Sequence, residues 1–144
     1  MGKLGLIFLA VFAGMSNAFQ APVNAALGRF VGVVESSCIS FTVGALSLLV
    51  VSLVAGKGSI LKVVDAPPNL WLGGLLGAFF VTVALFVVPK IGAAVMIASV
   101  LTGQMMAALI IDQTGWLGIP KNPVDLYRIG GLACLAVGIK LLSK

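Results

Sequence analysis

Asn17, Gln20 and Asn24 are the residues of this sequence best equipped to recognise a solute. Spacings of three and four place them on one face of a helix, within about 60° at 3.6 residues per turn. Each side chain offers N–H donors and a carbonyl acceptor, a set suited to a neutral or weakly charged polar molecule. Pro22 stands among them. It removes one backbone hydrogen bond and loosens the helix at that point, which makes it the candidate hinge. A loosened membrane helix with a polar face can expose carbonyls and amides to a substrate cavity. The same amides could instead lock neighbouring helices together; cavity lining is the preferred reading.

A second polar face carries Ser37, Ser40, Gly44 and Ser47 at helical spacing. Ser37 and Ser40 could line the same cavity, although small residues in membrane helices more often permit close packing, and Ser can bond its own backbone. Further along, Gln104 stands nearly opposite Ser99, Thr102 and Gly103. At most one of these two faces can meet a shared cavity. Gln104 is costlier to bury, so it is a further cavity candidate, with a hydrogen bond across a helix or dimer contact as the alternative.

The charged residues read as structural. Glu35 falls in the first turn of a helix, where the dipole favours an anion, so capping or an interfacial role is expected before proton coupling. Asp112 near the end of one helix and Arg128 near the start of the next each oppose the local dipole. An ion pair between them would relieve both. No carboxylate falls near mid-membrane, and no central proton carrier is evident. Gly131, Cys134 and Gly138 share one face and suit close helix contact, within a subunit or across a dimer. Gly73 with Gly77 and Gly74 with Ala78 form two further pairs of that kind.

Catalytic chemistry finds no foothold. The sequence has no His, the commonest metal ligand and easiest proton carrier. Neither a phosphate-binding Gly-Lys-Ser loop nor a Ser/His/Asp set is present. No enzyme activity, cofactor or metal site is expected. Cys38 and Cys134 lie in apolar runs and read as small membrane residues without a disulfide.

The elements that must position these residues follow from composition. Of 144 residues 60% are hydrophobic and 9% charged, and the mean hydropathy is +1.20. A soluble domain carries about 25% charged residues, so this chain cannot cover a water-facing globule. Its main solvent is lipid. Five stretches reach the roughly 20 apolar residues that a spanning helix needs, at about 4–27, 33–55, 69–88, 91–111 and 124–142. Tight connections are expected at Gly28-Arg29 and Pro89-Lys90, with longer ones from Gly56 to Pro68 and from Gly115 to Pro123. Trp71, Trp116 and Tyr127 fall near helix ends, where such rings favour the headgroup layer. The expected fold is an all-α membrane bundle of five helices in one domain. Lys3, an apolar run and Ser16-Asn17-Ala18 are also compatible with a signal peptide. The run continues past Ala18 to Leu27, however, so a retained helix is expected.

Charge then becomes a question of sides. The net charge is +5, but the cations are scattered singly, which argues against a nucleic-acid partner and for anionic headgroups. With alternating connections, Lys3, Lys57, Lys62, Lys121 and Arg128 share one membrane side. Arg29, Lys90, Lys140 and Lys144 share the other. Nearly equal counts specify almost no orientation, so insertion in both directions, and an antiparallel homodimer, are expected.

The chain resembles the short, five-helix, YdcZ-type members of the drug/metabolite transporter superfamily, exporters of the bacterial inner membrane. The resemblance covers nearly the whole chain. It rests on Gln20-Ala21-Pro22-Val23-Asn24, on Phe41 with Gly44, and on Val88-Pro89-Lys90-Ile91-Gly92. Gly103-Gln104, Ile111-Asp112 before Gly115, and Arg128-Ile129-Gly130 through Gly138 complete it. It implies export or exchange of a small solute across the inner membrane. It also implies a five-helix chain acting as half of an antiparallel ten-helix dimer, as in superfamily members built from two inverted five-helix halves. Related small multidrug transporters carry a membrane-embedded Glu in the first helix; Asn17, Gln20 and Asn24 stand there instead. The expected function is a secondary transporter working by alternating access. A small dimeric channel and a non-transporting membrane scaffold are the alternatives.

Overall fold

The structure is a computed structural model that describes residues 2–143 and every side chain among them except that of Leu117. Lys144, one of the cations counted above, lies outside the described residues. Five α-helices follow one another: α1 (Lys3–Val31), α2 (Val33–Ala55), α3 (Leu72–Ile91), α4 (Ala93–Thr114) and α5 (Leu126–Leu142). Short 3-10 turns occupy Ile60–Asp65, Pro68–Trp71 and Trp116–Gly118, and no strand occurs among the described residues. Helices Lys3–Val31, Val33–Ala55 and Ala93–Thr114, with α3 extended back to Pro68, are long and apolar enough to cross a membrane.

The fifth helix is shorter than its apolar run. Expected from 124, it starts at Leu126 because Asp125 is its N-cap, the carboxylate accepting from the Arg128 backbone N–H. Its 17 residues rise about 26 Å, slightly under a hydrocarbon core of about 30 Å.

Both tight connections lie downstream of where the sequence puts them. Helix α1 continues through Gly28 and Arg29 to Val31, and α3 through Pro89 and Lys90 to Ile91. The chain turns instead at single residues, Gly32 (φ 99°, ψ 155°) and Gly92 (φ 82°, ψ 158°). That positive-φ, extended combination is essentially closed to any side chain, so a one-residue link needs glycine there. Gly28 is left to serve as a contact surface: a Cβ on it would lie 3.7 Å from Ser36 Cβ and from Val33 Cα. Pro89 is accommodated in the last turn of α3, where it withholds an N–H from the Leu85 carbonyl.

The residues form two compact units, up to Lys90 and from Ile91 onward. In the first, α1 and α2 make an antiparallel hairpin, with residue 28 beside 36 and residue 24 beside 40. Ala21, Asn24 and Ala25 of α1 and Ser36 and Ser37 of α2 are buried. Gly77 of α3 lets the Phe41 ring of α2 approach, since a Cβ there would stand 3.2 Å from its Cζ. In the second unit α4 packs against α5. Elsewhere large apolar side chains face outward; Phe79, for example, is 71% exposed. Such a surface is stable only against hydrocarbon.

A repeat emerges that composition conceals. Counting from the linking glycines, buried positions recur eleven, eight and seven residues before the turn: Ala21, Asn24 and Ala25 before Gly32, then Val81, Ala84 and Leu85 before Gly92. Four residues after each glycine stands another buried residue, Ser36 and Met96, whose N–H donates to that glycine's carbonyl. The pattern is polar in the first copy, at Asn24 and Ser36, and apolar in the second.

Candidate functional site

About two helical turns of α1, from Asn17 to Asn24, run from an exposed polar surface to a buried one. Asn17 and Gln20 are exposed, and Asn24 is 7% exposed. The three amides therefore share a face but not an environment. Helix α1 is unbroken through Pro22, whose missing N–H leaves the Ala18 carbonyl without its usual partner.

Asn24 is held by two serines of α2. Its Nδ2 donates to Ser40 Oγ at 2.9 Å, and Ser36 Oγ donates to the Asn24 backbone carbonyl at 2.7 Å. Ser36 has no exposed surface, so its bond is shielded from water and correspondingly strong, whereas the Asn24–Ser40 bond is part-buried. An Asn side chain carries two donors and a carbonyl oxygen. Among the described residues one donor is used, leaving Oδ1 and the second N–H able to bind something else. The Ser40 hydroxyl, accepting from Asn24, keeps its own proton to donate.

Ser37, Thr42 and Ser47 are committed within the helix. Ser37 donates to the Val33 carbonyl at 3.0 Å and Ser47 to that of Val43 at 2.8 Å. The serine face therefore divides: Ser40 reaches α1, while Ser37 is buried and turned onto its own backbone. Ser36 was not legible as a site residue in the sequence. The signal that finds it is its place four residues after Gly32, where a hairpin turning at that glycine brings it against α1. Glu35 lies in the first turn of α2 and is exposed. Its carboxylate folds back over Gly32, into the space a Cβ there would occupy.

The second unit holds the remaining candidates. Gln104 is exposed, and Ser99 and Thr102 donate to the carbonyls of Val95 and Ala98. Arg128 Nη1 lies 3.0 Å from Asp112 Oδ2, with both side chains roughly 70% buried (28% and 30% exposed). The same Nη1 donates to the Asn122 carbonyl at 3.2 Å. Two further bonds fold the connection back onto the end of α4: Asn122 N–H to the Asp112 carbonyl at 2.9 Å, and Val124 N–H to Gln113 Oε1 at 2.8 Å. Gln113, unremarked in the sequence, is thus part of this clamp.

Beside the pair lies a cavity of about 360 Å³, walled by Met105, Leu109, Gly131 and Leu135. Gly131 widens it, having nothing within 4 Å of where a Cβ would stand; Gly138 is equally open, and Cys134 is exposed with a free thiol. Among the described residues no cluster of His, Cys, Asp or Glu could hold a metal ion. Two polar arrangements therefore stand out: an under-used amide with two serines in α1 and α2, and a closed ion pair in α4 and α5. The first can recognise a polar solute by hydrogen bonding, whereas the second fastens a loop.

The family model described as "Putative inner membrane exporter, YdcZ" matches residues 5–141, from the start of α1 to the end of α5. No curated protein and no solved structure matches the chain. A match of that extent, over helices that leave their apolar faces to lipid, establishes that the chain belongs to the YdcZ family of multi-pass inner-membrane proteins.

Proposed function

We propose that the protein is a secondary exporter or exchanger of a small polar or weakly charged solute, with Asn24 as the central recognition group. The observation that carries this reading is the part-buried Asn24–Ser40 pair, whose amide oxygen and second N–H have no partner among the described residues, whereas every fully buried side-chain N or O atom there has one. Leaving such hydrogen-bonding capacity unused inside a membrane helix is costly. Binding a solute offsets that cost. Gln20, one turn away and exposed, delivers the solute to the pair, and Asn17 extends the polar track. The carbonyl freed by Pro22 adds an acceptor and a point of bending for alternating access.

The working unit in this proposal is an antiparallel homodimer inserted in both orientations. The near-even distribution of cations supports it, as does the superfamily architecture that the sequence resembles. The test is thermal stabilisation of the detergent-solubilised protein across a panel of small polar metabolites and cations. At least one polar solute is expected to raise the melting temperature of the native protein and to leave Asn24→Leu unchanged. A panel without any stabilising solute, or one that stabilises both proteins equally, contradicts the proposal.

A further inference from the structure

The connection between α2 and α3 is more ordered, and more apolar, than a loop between two membrane spans needs to be. Ile60–Asp65 is a 3-10 helix, in which residues three apart eclipse each other. Its six residues therefore form three columns: Ile60 over Val63, Leu61 over Val64, and Lys62 over Asp65. Two columns are apolar and one is charged. None of the six is buried; Leu61 is 82% exposed and Val64 76%. Beyond Pro67, Leu70 and Trp71 are also exposed, each at 53%. Water is a poor solvent for this surface, and nothing in the first unit covers it.

The position of the segment names its solvent. It is joined directly to two membrane-spanning helices, α2 ending at Ala55 and the span beginning at Pro68. Its ends are thus fixed at the membrane surface. Lys57 and Lys62 are exposed beside the apolar columns, with Asp65 as the sole anion of the connection. A net positive, amphipathic turn at this depth matches an anionic lipid leaflet, apolar columns down and lysines at the phosphates. The indole of Trp71, at the start of the following span, suits the headgroup layer.

We infer that residues 60–65 form an in-plane membrane anchor, seated in the headgroup layer of an anionic leaflet by Leu61 and Val64 and held there by Lys57 and Lys62. The anchor fixes the depth of α2 and α3 at one membrane face. It stands independently of the transported solute.

The test is spin-label accessibility along positions 60–65 of the full-length protein, with Cys38 and Cys134 replaced by serine. Vesicles of phosphatidylcholine alone are compared with vesicles also containing phosphatidylglycerol. In the anionic vesicles, labels at 61 and 64 are expected to collide with oxygen, which concentrates in lipid. Labels at 62 and 65 are expected to collide with a water-soluble nickel chelate. The Lys57→Gln/Lys62→Gln double variant is expected to weaken the seated state by about 30-fold, roughly fivefold per lysine. Access of the chelate to all six positions overturns the inference, as does exclusion of both reagents, which would mean that protein covers the segment. Equal seating in neutral and anionic vesicles overturns the role of the lysines.

Discussion

Ser36 and Ser37 are neighbours, both buried, yet they do different things. Ser36 donates across the hairpin to the Asn24 carbonyl, while Ser37 donates within its own helix. Replacing Ser36 by Ala is expected to destabilise the protein by about 1 kcal/mol, the net worth of one hydrogen bond. Ser37→Ala should stay within about 0.5 kcal/mol, because the Val33 carbonyl keeps its helical partner. Denaturant titration in mixed micelles measures both; equal losses would contradict the assignment. Asp112 and Arg128 supply a second comparison. Exposed pairs contribute about 0–1 kcal/mol, and breaking a fully buried pair costs about 3–5 kcal/mol. At 28% and 30% exposure the expected coupling is about 1–2 kcal/mol, read from a double-mutant cycle of Asp112→Asn and Arg128→Gln. The proximity of these two residues was legible in the sequence, since each opposes a helix dipole and a single connection joins them. Ser36 was not: a serine beside a serine gives no sign of which faces a neighbour until the turn at Gly32 is known.

At the scale of elements, the two one-residue links decide how the chain turns. Gly92 has open space around the position of a Cβ, so a substitution there meets backbone strain and nothing else. Gly92→Ala is expected to cost about 1–3 kcal/mol. Gly130→Ala, inside α5 and equally open, should be neutral or slightly stabilising, by up to about 1 kcal/mol, since alanine is the better helix former. Thermal unfolding of the two variants side by side checks this, and a Gly92→Ala protein as stable as the parent would refute the role given to the link. The helices themselves could be read from the length of apolar runs, because lipid allows little else. Their ends could not be read as well. Gly28-Arg29 and Pro89-Lys90 have the composition of turns, but only the conformation of Gly32 and Gly92 shows which glycine is indispensable. The start of α5 likewise depends on the local bond from Arg128 N–H to Asp125, which apolar length does not report. The polar face of α1 was legible as a set, through its three- and four-residue spacing. Its division into exposed Asn17 and Gln20 and buried Asn24 was not, because burial is set by the partner helix.

At the scale of the whole molecule, the even spread of cations carries the proposal of two orientations. A C-terminal reporter active only in the cytoplasm and another active only outside it should both give signal; signal from one alone would contradict dual insertion. Adding two lysines to the connection between α4 and α5 should shift the population towards one orientation, and excess of that single form should lower transport. The central claim is that Asn24 recognises a solute that the protein carries across the membrane. Its most direct test loads proteoliposomes with an isotope-labelled extract of small cell metabolites and follows release by mass spectrometry. The native protein is expected to release a restricted set of polar solutes, saturably and faster with the same solute outside. Asn24→Leu, inserted to the same level, should release none of them. Release that is unsaturable, or equal in the native and Asn24→Leu proteins, would contradict the account.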